Sequence, residues 1–82
     1  MNIVEHVERA AKFFPERTAI LFEGATWTYR DLNARSNRLA NALKANGVQR
    51  GDRVSLYFLN CPEFALAYLA TLKIGAVAVS IN

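Results

Sequence analysis

The chain has 82 residues, of which 52% are hydrophobic, and a formal net charge of +3. A chain of this length suits one small domain that buries only about 60% of its unfolded surface. Such a domain has little stability to spare, so an apolar face left uncovered matters for its stability. The charged residues are interspersed, as on a solvated surface, and do not form the dense basic cluster typical of a polyanion-binding tail.

The sequence carries little sign of export or of membrane insertion. Charged residues interrupt the apolar pattern of residues 1–14, so we predict no signal peptide. Every uncharged stretch is far shorter than the ~20 residues that span a bilayer, so we predict no transmembrane segment. The single cysteine, Cys61, permits no intrachain disulfide and favours a reducing, cytoplasmic location.

Apolar residues at helical spacing predict a helix at the start of the chain. Asn2 followed by Glu5 indicates a capping box, and Pro15 is expected to end the helix. Short apolar runs at 18–22 and 25–28 flank a Glu-Gly pair, which predicts a β-hairpin. The apolar stripe of the helix comprises Ile3, Val7, Ala10 and Phe14.

The next element is a helix with sequence signals for both of its ends. Thr28 is placed to cap a helix, Asp31 stands at its third position, and Trp27 with Leu32 can form a hydrophobic staple. Gly47 supplies a left-handed stop. We expect this helix to lie on a sheet with its polar face in water, and its apolar face comprises Leu32, Ser36, Leu39, Ala40 and Leu43.

The last third of the chain predicts a parallel β-α-β unit, which makes the fold class α/β. Residues 54–59 are almost continuously apolar, as in a strand buried on both faces, and residues 76–81 resemble a second such strand. Between them, Cys61 and Pro62 suit the start of a helix that Gly75 ends. Residues 64–72 leave almost no polar stripe, so we expect this helix to be buried on every side.

Four segments match, in order, the motifs of one enzyme family. Residues 27–32, Trp-Thr-Tyr-Arg-Asp-Leu, resemble the first core motif of adenylate-forming enzymes, and residues 72–82, Leu-Lys-Ile-Gly-Ala-Val-Ala-Val-Ser-Ile-Asn, resemble the second. Residues 47–54 and 60–64 match the segments between them. The chain is thus similar to the N-terminus of an acyl-CoA synthetase of the long-chain-fatty-acid–CoA ligase type, in the AMP-binding superfamily. Ser80 stands where many members have proline.

The resemblance implies that residues 1–82 are a single partial domain, at the start of the large N-terminal AMP-binding domain of the adenylate-forming fold. It also implies a parent ligase that uses ATP and Mg²⁺ to form an acyl-adenylate and then transfers the acyl group to coenzyme A. In that family the phosphate loop, the acidic ligands and the catalytic lysine follow later in the chain. We therefore expect a truncated fragment, inactive alone, with no catalytic, cofactor-binding or metal-binding residue and no bound cofactor.

Several residues invite other interpretations. Cys61 at a helix start could be a reactive thiolate, but the single histidine, His6, lies on another predicted helix, so we favour a structural cysteine. For His6 we favour a surface position at the edge of the apolar face over a role as metal ligand, because the sequence has no Cys/His cluster with metal-binding spacing. Lys73 precedes Gly75, the reverse of a P-loop, and suits the negative end of a helix dipole. Asp31 and Asp52 suit a helix start and a turn. The basic residues Arg30, Arg35, Arg38, Lys44, Arg50 and Arg53 could contact nucleic acid.

Two alternative functions stand beside the ligase fragment: a free-standing, self-associating interaction module and a small basic nucleic-acid binder. No nucleic-acid partner is expected under the leading hypothesis, because the modest charge is ordinary for a solvated helix face. We do expect self-association through the apolar helix after Pro62 and the last strand, by strand addition or element exchange, because 82 residues cannot cover both.

Overall fold

A computed structural model describes residues 2–56 and 61–81 of the chain. The predicted order of helix, hairpin, helix and β-α-β unit is confirmed. The predicted end of the strand at residues 57–59 lies outside the described residues. The elements are α1 (Ile3–Phe13), β1 (Thr18–Phe22), β2 (Ala25–Thr28), α2 (Tyr29–Ala45), β3 (Arg53–Leu56), α3 (Pro62–Lys73) and β4 (Val77–Ser80).

Helix α1 begins where the sequence predicts. The Asn2 side chain accepts a hydrogen bond of 2.8 Å from the backbone N–H of Glu5, which is one half of the predicted capping box. Val7 and Ala10, in the middle of the stripe, are buried. The two ends of the stripe are more exposed, 48% at Ile3 and 49% at Phe14.

Strands β1 and β2 form the predicted antiparallel hairpin. Ile20 lies opposite Trp27, and Leu21 lies opposite Thr26. Both turn residues have positive φ, 51° at Glu23 and 80° at Gly24, as the tight two-residue hairpin turns require.

Helix α2 has hydrogen-bonded caps at both ends. The Asp31 N–H donates to Thr28 Oγ1 at 3.1 Å, and the Thr28 N–H donates to the Asp31 carboxylate at 3.2 Å. At the other end Gly47 has a φ of 92°, and the N–H of Val48 donates to the Leu43 carbonyl at 3.0 Å, which completes a Schellman motif. Both predicted ends of this helix are confirmed.

Helix α2 packs chiefly against α3 and α1, with fewer contacts to the hairpin. The predicted contact with a sheet is therefore present, but the two other helices provide most of the surface against which α2 packs. The buried centre of the packing comprises Val7, Leu32 and Leu69, one from each helix, and Trp27 and Tyr29 pack against it.

Strands β3 and β4 pair in parallel, with Arg53 beside Val77 and Leu56 beside Ser80. The parallel β-α-β unit is thus confirmed, but burial of its strands on both faces is not. Arg53 and Ser55 are exposed, and Val77 is 50% exposed. Side chains alternate along a strand, so these three residues share the face turned away from α3.

Helix α3 is covered around much of its circumference but not all of it. Ala67, Leu69, Ala70 and Thr71 are buried, whereas Tyr68 is 39% exposed and Phe64 is half-buried. The prediction of burial on every side is wrong for the residues described, because α1, α2 and the narrow β3–β4 sheet cover only part of the helix circumference. No helix among the described residues is long and apolar enough to cross a membrane.

Candidate functional site

The polar face of α2 holds the last residue of α3. The Lys73 ammonium donates hydrogen bonds of 2.6 Å to Asn33 Oδ1 and of 2.6 Å to Asn37 Oδ1. Burial lowers the pKa of Lys73 from its ordinary value, and the negative charge of Glu8 opposes that effect. Lys73 therefore lies at the C-terminal end of α3, as predicted, and its charge also joins two helices.

Two of the four segments that match family motifs, residues 47–54 and 72–82, are in contact with each other. The N–H of Gly51 donates to the Gly75 carbonyl at 2.9 Å, and the N–H of Val77 donates to the Asp52 carbonyl at 2.7 Å. The aliphatic part of Arg50 lies against Gly75, where an added Cβ would be 3.0 Å from Arg50 Cγ. The turn before β3 and the turn before β4 therefore form one unit, and a side chain at position 75 would have to adopt a positive φ and displace the Arg50 side chain.

Two cavities flank the helix packing. One of about 450 Å³ lies between α1, β1 and α3, and its lining is mostly apolar. Its lining residues include Val7, Ile20, Tyr29, Leu32, Phe64 and Leu69. The other, of about 470 Å³, is polar and lies beside Lys73, with Glu8, Asn37 and Lys44 in its wall.

Cys61 and His6, the two residues considered for nucleophilic chemistry, are not hydrogen-bonded to each other among the described contacts. Cys61 occupies the N-cap position of α3, half-buried, and its side chain makes no capping hydrogen bond. His6 is exposed on α1, where its ring meets Tyr29 edge-on at 6.2 Å between centroids. No hydrogen bond described joins the thiol to the imidazole, so the arrangement offers no nucleophile paired with its base.

The acidic residues have the local roles that the sequence predicts. Asp31 belongs to the cap of α2, and the Asp52 carboxylate accepts a hydrogen bond of 2.7 Å from the N–H of Gln49 in the turn before β3. Residues 2–56 and 61–81 contain no group of three His, Cys, Asp or Glu side chains placed to hold a metal ion.

Three of the predicted basic residues make contacts within the chain. The Arg35 guanidinium lies 4.5 Å from the centroid of the Trp27 ring, and Arg30 pairs with Glu16 at 2.6 Å. Arg50 covers Gly75. Each of these three arginines therefore has a contact partner within the chain, and none of the contacts favours a nucleic-acid interface.

Asn33 and Asn37 are the residues of this region that sequence reasoning missed. They belong to the polar face of α2, which the sequence predicts to lie in water, whereas their side-chain oxygens accept hydrogen bonds from Lys73. Their spacing of four residues, which places two amides side by side on a helix, is the signal that could have suggested a shared partner.

Comparison with known proteins matches the chain to one family and one fold. The family described as AMP-binding enzyme matches residues 7–82. A 3-hydroxybenzoate–CoA/4-hydroxybenzoate–CoA ligase of Thauera aromatica is 52% identical over 67 residues, which are 82% of this chain and 13% of that protein. A 3-oxocholest-4-en-26-oate–CoA ligase of Rhodococcus rhodochrous is 40% identical over all 82 residues and 15% of its own length.

Solved structures of adenylate-forming enzymes contain the same architecture. The N-terminal subdomain of NpsA from Klebsiella oxytoca, in complex with 3-hydroxybenzoyl-AMSN, superimposes with a TM-score of 0.92 at 34% identity. The match covers 98% of this chain and 20% of that one. The chain therefore spans between an eighth and a fifth of the length of the proteins it matches here.

Proposed function

Because the chain belongs to the AMP-binding enzyme family, we propose that it forms the N-terminal part of an ATP-dependent ligase that joins a carboxylic acid to coenzyme A. The proposed reaction converts the acid and ATP to an acyl-adenylate and pyrophosphate, with Mg²⁺, and then transfers the acyl group to the thiol of coenzyme A with release of AMP. The observation that carries the proposal is the match to CoA ligases along almost the whole chain.

The contribution of this segment is structural support. The two turns that carry the family motifs are held together by backbone hydrogen bonds, and Lys73 links the second motif to α2. A rigid unit of this kind can position neighbouring parts of a larger enzyme without touching substrate. The single cysteine favours a reducing, cytoplasmic setting for that enzyme.

We propose that the 82-residue chain alone does not catalyse the reaction. Binding of nucleotide phosphates needs backbone amides in a glycine-rich loop, usually with a lysine after it, and the sequence contains no such segment. The one lysine near a glycine, Lys73, already donates to two asparagine oxygens on α2.

A chimaera tests the proposal. The matching segment of the Thauera aromatica ligase is replaced by this chain, and formation of hydroxybenzoyl-CoA is measured with ATP and coenzyme A. We expect the chimaera to be active, and we expect the same ligase without the segment, and the isolated 82-residue chain, to be inactive.

A matched variant shows whether the segment must be folded. Leu69→Asp in the chimaera places a charge in the buried core and should abolish activity, whereas Leu21→Asp, at a position 70% exposed, should not. A folded but inactive chimaera would contradict the ligase proposal. Acyl-CoA formation by the homogeneous 82-residue chain would contradict the proposed inactivity.

A further inference from the structure

The apolar cavity between α1, β1 and α3 lies at the uncovered part of α3. Its volume is about 450 Å³, and its lining includes Phe64 and Tyr68, whose rings stack with centroids 6.4 Å apart and planes 16° apart. Ile3 of α1 and Ile20 of β1 also line it. Tyr68 and Ile3 are exposed large hydrophobic residues. Three elements of the chain therefore surround a concave apolar surface that is in contact with water.

No acidic or strongly basic side chain protects this surface. Helix α3 has Glu63 in its first turn and Lys73 in its last turn, and residues 64–72 between them are uncharged. Among the described residues that line the cavity, only one histidine and two tyrosines carry a polar side-chain atom. Single exposed apolar residues, such as Leu21 in the hairpin, are ordinary on a protein surface, whereas a cluster contributed by three elements is typical of a binding surface.

The lengths of the matched proteins indicate which partner is available. The chain corresponds to 13% and 15% of the length of the two CoA ligases that it matches, so most of such an enzyme lies outside the matched segment. A part joined to the segment in one polypeptide has an effective concentration on the order of millimolar, which a separate protein at micromolar concentration does not reach. The joined part of the ligase is therefore favoured over a second copy of this chain.

A small-molecule ligand suits the cavity less well than a packed protein element. Ligand sites combine apolar walls with a few polar groups that fix the orientation of the ligand. Here the imidazole of His6 meets the ring of Tyr29 edge-on, at 6.2 Å between centroids, and none of the described lining residues is an acid, a lysine or an arginine. The cavity offers apolar surface to bury and little that would orient a polar ligand.

We propose that the surface formed by Ile3, Phe64 and Tyr68 at this cavity is the contact through which the segment binds the remaining part of the ligase. This inference rests on the proposed function, because the partner is the rest of that enzyme. Apolar side chains of the remaining part enter the cavity and remove Tyr68 from water. Removal of apolar surface from water is the main favourable contribution to such packing.

Hydroxyl-radical footprinting tests the contact without any substitution. The oxidation rate of each aromatic residue, measured by mass spectrometry, depends on its exposure to water. The isolated 82-residue chain at low micromolar concentration is compared with the chimaera in which it replaces the matching segment of the Thauera aromatica ligase. We expect Tyr68 to oxidise several-fold more slowly in the chimaera. Phe13 is the control, because it is 58% exposed and does not line the cavity, so its rate should be the same in both proteins.

A pair of variants tests whether the contact stabilises the enzyme. Tyr68→Ser shortens a side chain at the cavity, and Phe13→Ser shortens an exposed aromatic side chain outside it. Thermal unfolding of both variants is measured in the isolated chain and in the chimaera. We expect the shift caused by Tyr68→Ser, relative to that caused by Phe13→Ser, to be larger in the chimaera, because only there does Tyr68 lose a contact with the partner.

The outcomes separate this inference from the proposed function. A folded chimaera that protects Tyr68 but makes no hydroxybenzoyl-CoA would support the contact and contradict the ligase reaction. An active chimaera in which the oxidation rate of Tyr68 falls no further than that of Phe13 would overturn the contact and leave the ligase proposal intact. Protection of Tyr68 in the isolated chain that increases with protein concentration would assign the surface to a second copy, and it would also overturn the proposal.

Discussion

The first 47 residues and the β-α-β unit are specified in different ways. Helix α2 starts with a reciprocal Thr28–Asp31 cap and is preceded by a tight hairpin turn, so short-range hydrogen bonds define its boundaries. Helix α3 starts at Cys61 without a side-chain cap and is apolar around most of its surface. Local bonds therefore position the first region, whereas the second depends on what packs against it.

The two regions nevertheless share one core. Val7 of α1, Leu32 of α2 and Leu69 of α3 form a single buried cluster, and Lys73 adds a polar link between α3 and α2. Loss of that cluster should unfold both regions together, because a domain of this size has little stability to lose.

The largest expected effect concerns this shared core. Leu69→Ala should lower the free energy of unfolding by about 2–5 kcal/mol, because Leu69 is buried and its loss leaves a cavity beside Val7 and Leu32. Leu66→Ala, on the same helix but half-buried, is the control and should cost less, below about 2 kcal/mol. Urea unfolding followed by circular dichroism measures both, and equal costs would show that α3 docks through another face.

The second prediction compares the loss of unfolding free energy at two glycines that follow the ends of helices. Gly47 and Gly75 have φ angles of 92° and 76°, but an added Cβ at Gly47 meets nothing within 4 Å, whereas at Gly75 it lies 3.0 Å from Arg50 Cγ. Gly47→Ala should cost about 1–2 kcal/mol from left-handed backbone strain alone. Gly75→Ala should cost about 1 kcal/mol more from crowding.

The same unfolding experiment contains the control for that difference. Arg50→Ala removes the crowding atom, so it should narrow the gap between the two glycine variants. If Gly47→Ala proves as costly as Gly75→Ala, Arg50 does not crowd a side chain at position 75.

The smallest expected change in stability concerns the N-cap residues of α2 and α3. Thr28→Ala removes a cap hydrogen bond and should destabilise the chain by about 1 kcal/mol. Cys61→Ala should change stability little, because the thiol makes no capping bond. Thermal unfolding of the two variants measures this, and a larger cost at Cys61 would assign that side chain a role that its geometry does not suggest.

Sequence reasoning succeeded where bonds are short-range. The cap at Thr28 spans three residues, and the hairpin turn is set by two residues with positive φ, so both could be predicted from neighbouring residues. It failed for Asn33 and Asn37, whose partner lies 40 and 36 residues away. No periodicity within α2 distinguishes an amide that faces water from one that receives a lysine of another helix.

The amino-acid sequence by itself determined the order of elements and the caps of α1 and α2, because each depends on contacts between near neighbours. Tertiary structure alone decided which apolar surfaces are covered. Residues 64–72 are apolar on nearly every side, yet burial reaches only the side turned toward α1, α2 and the two-stranded sheet. Apolar character makes burial favourable, but only the packing of distant elements provides the surface that removes a side chain from water.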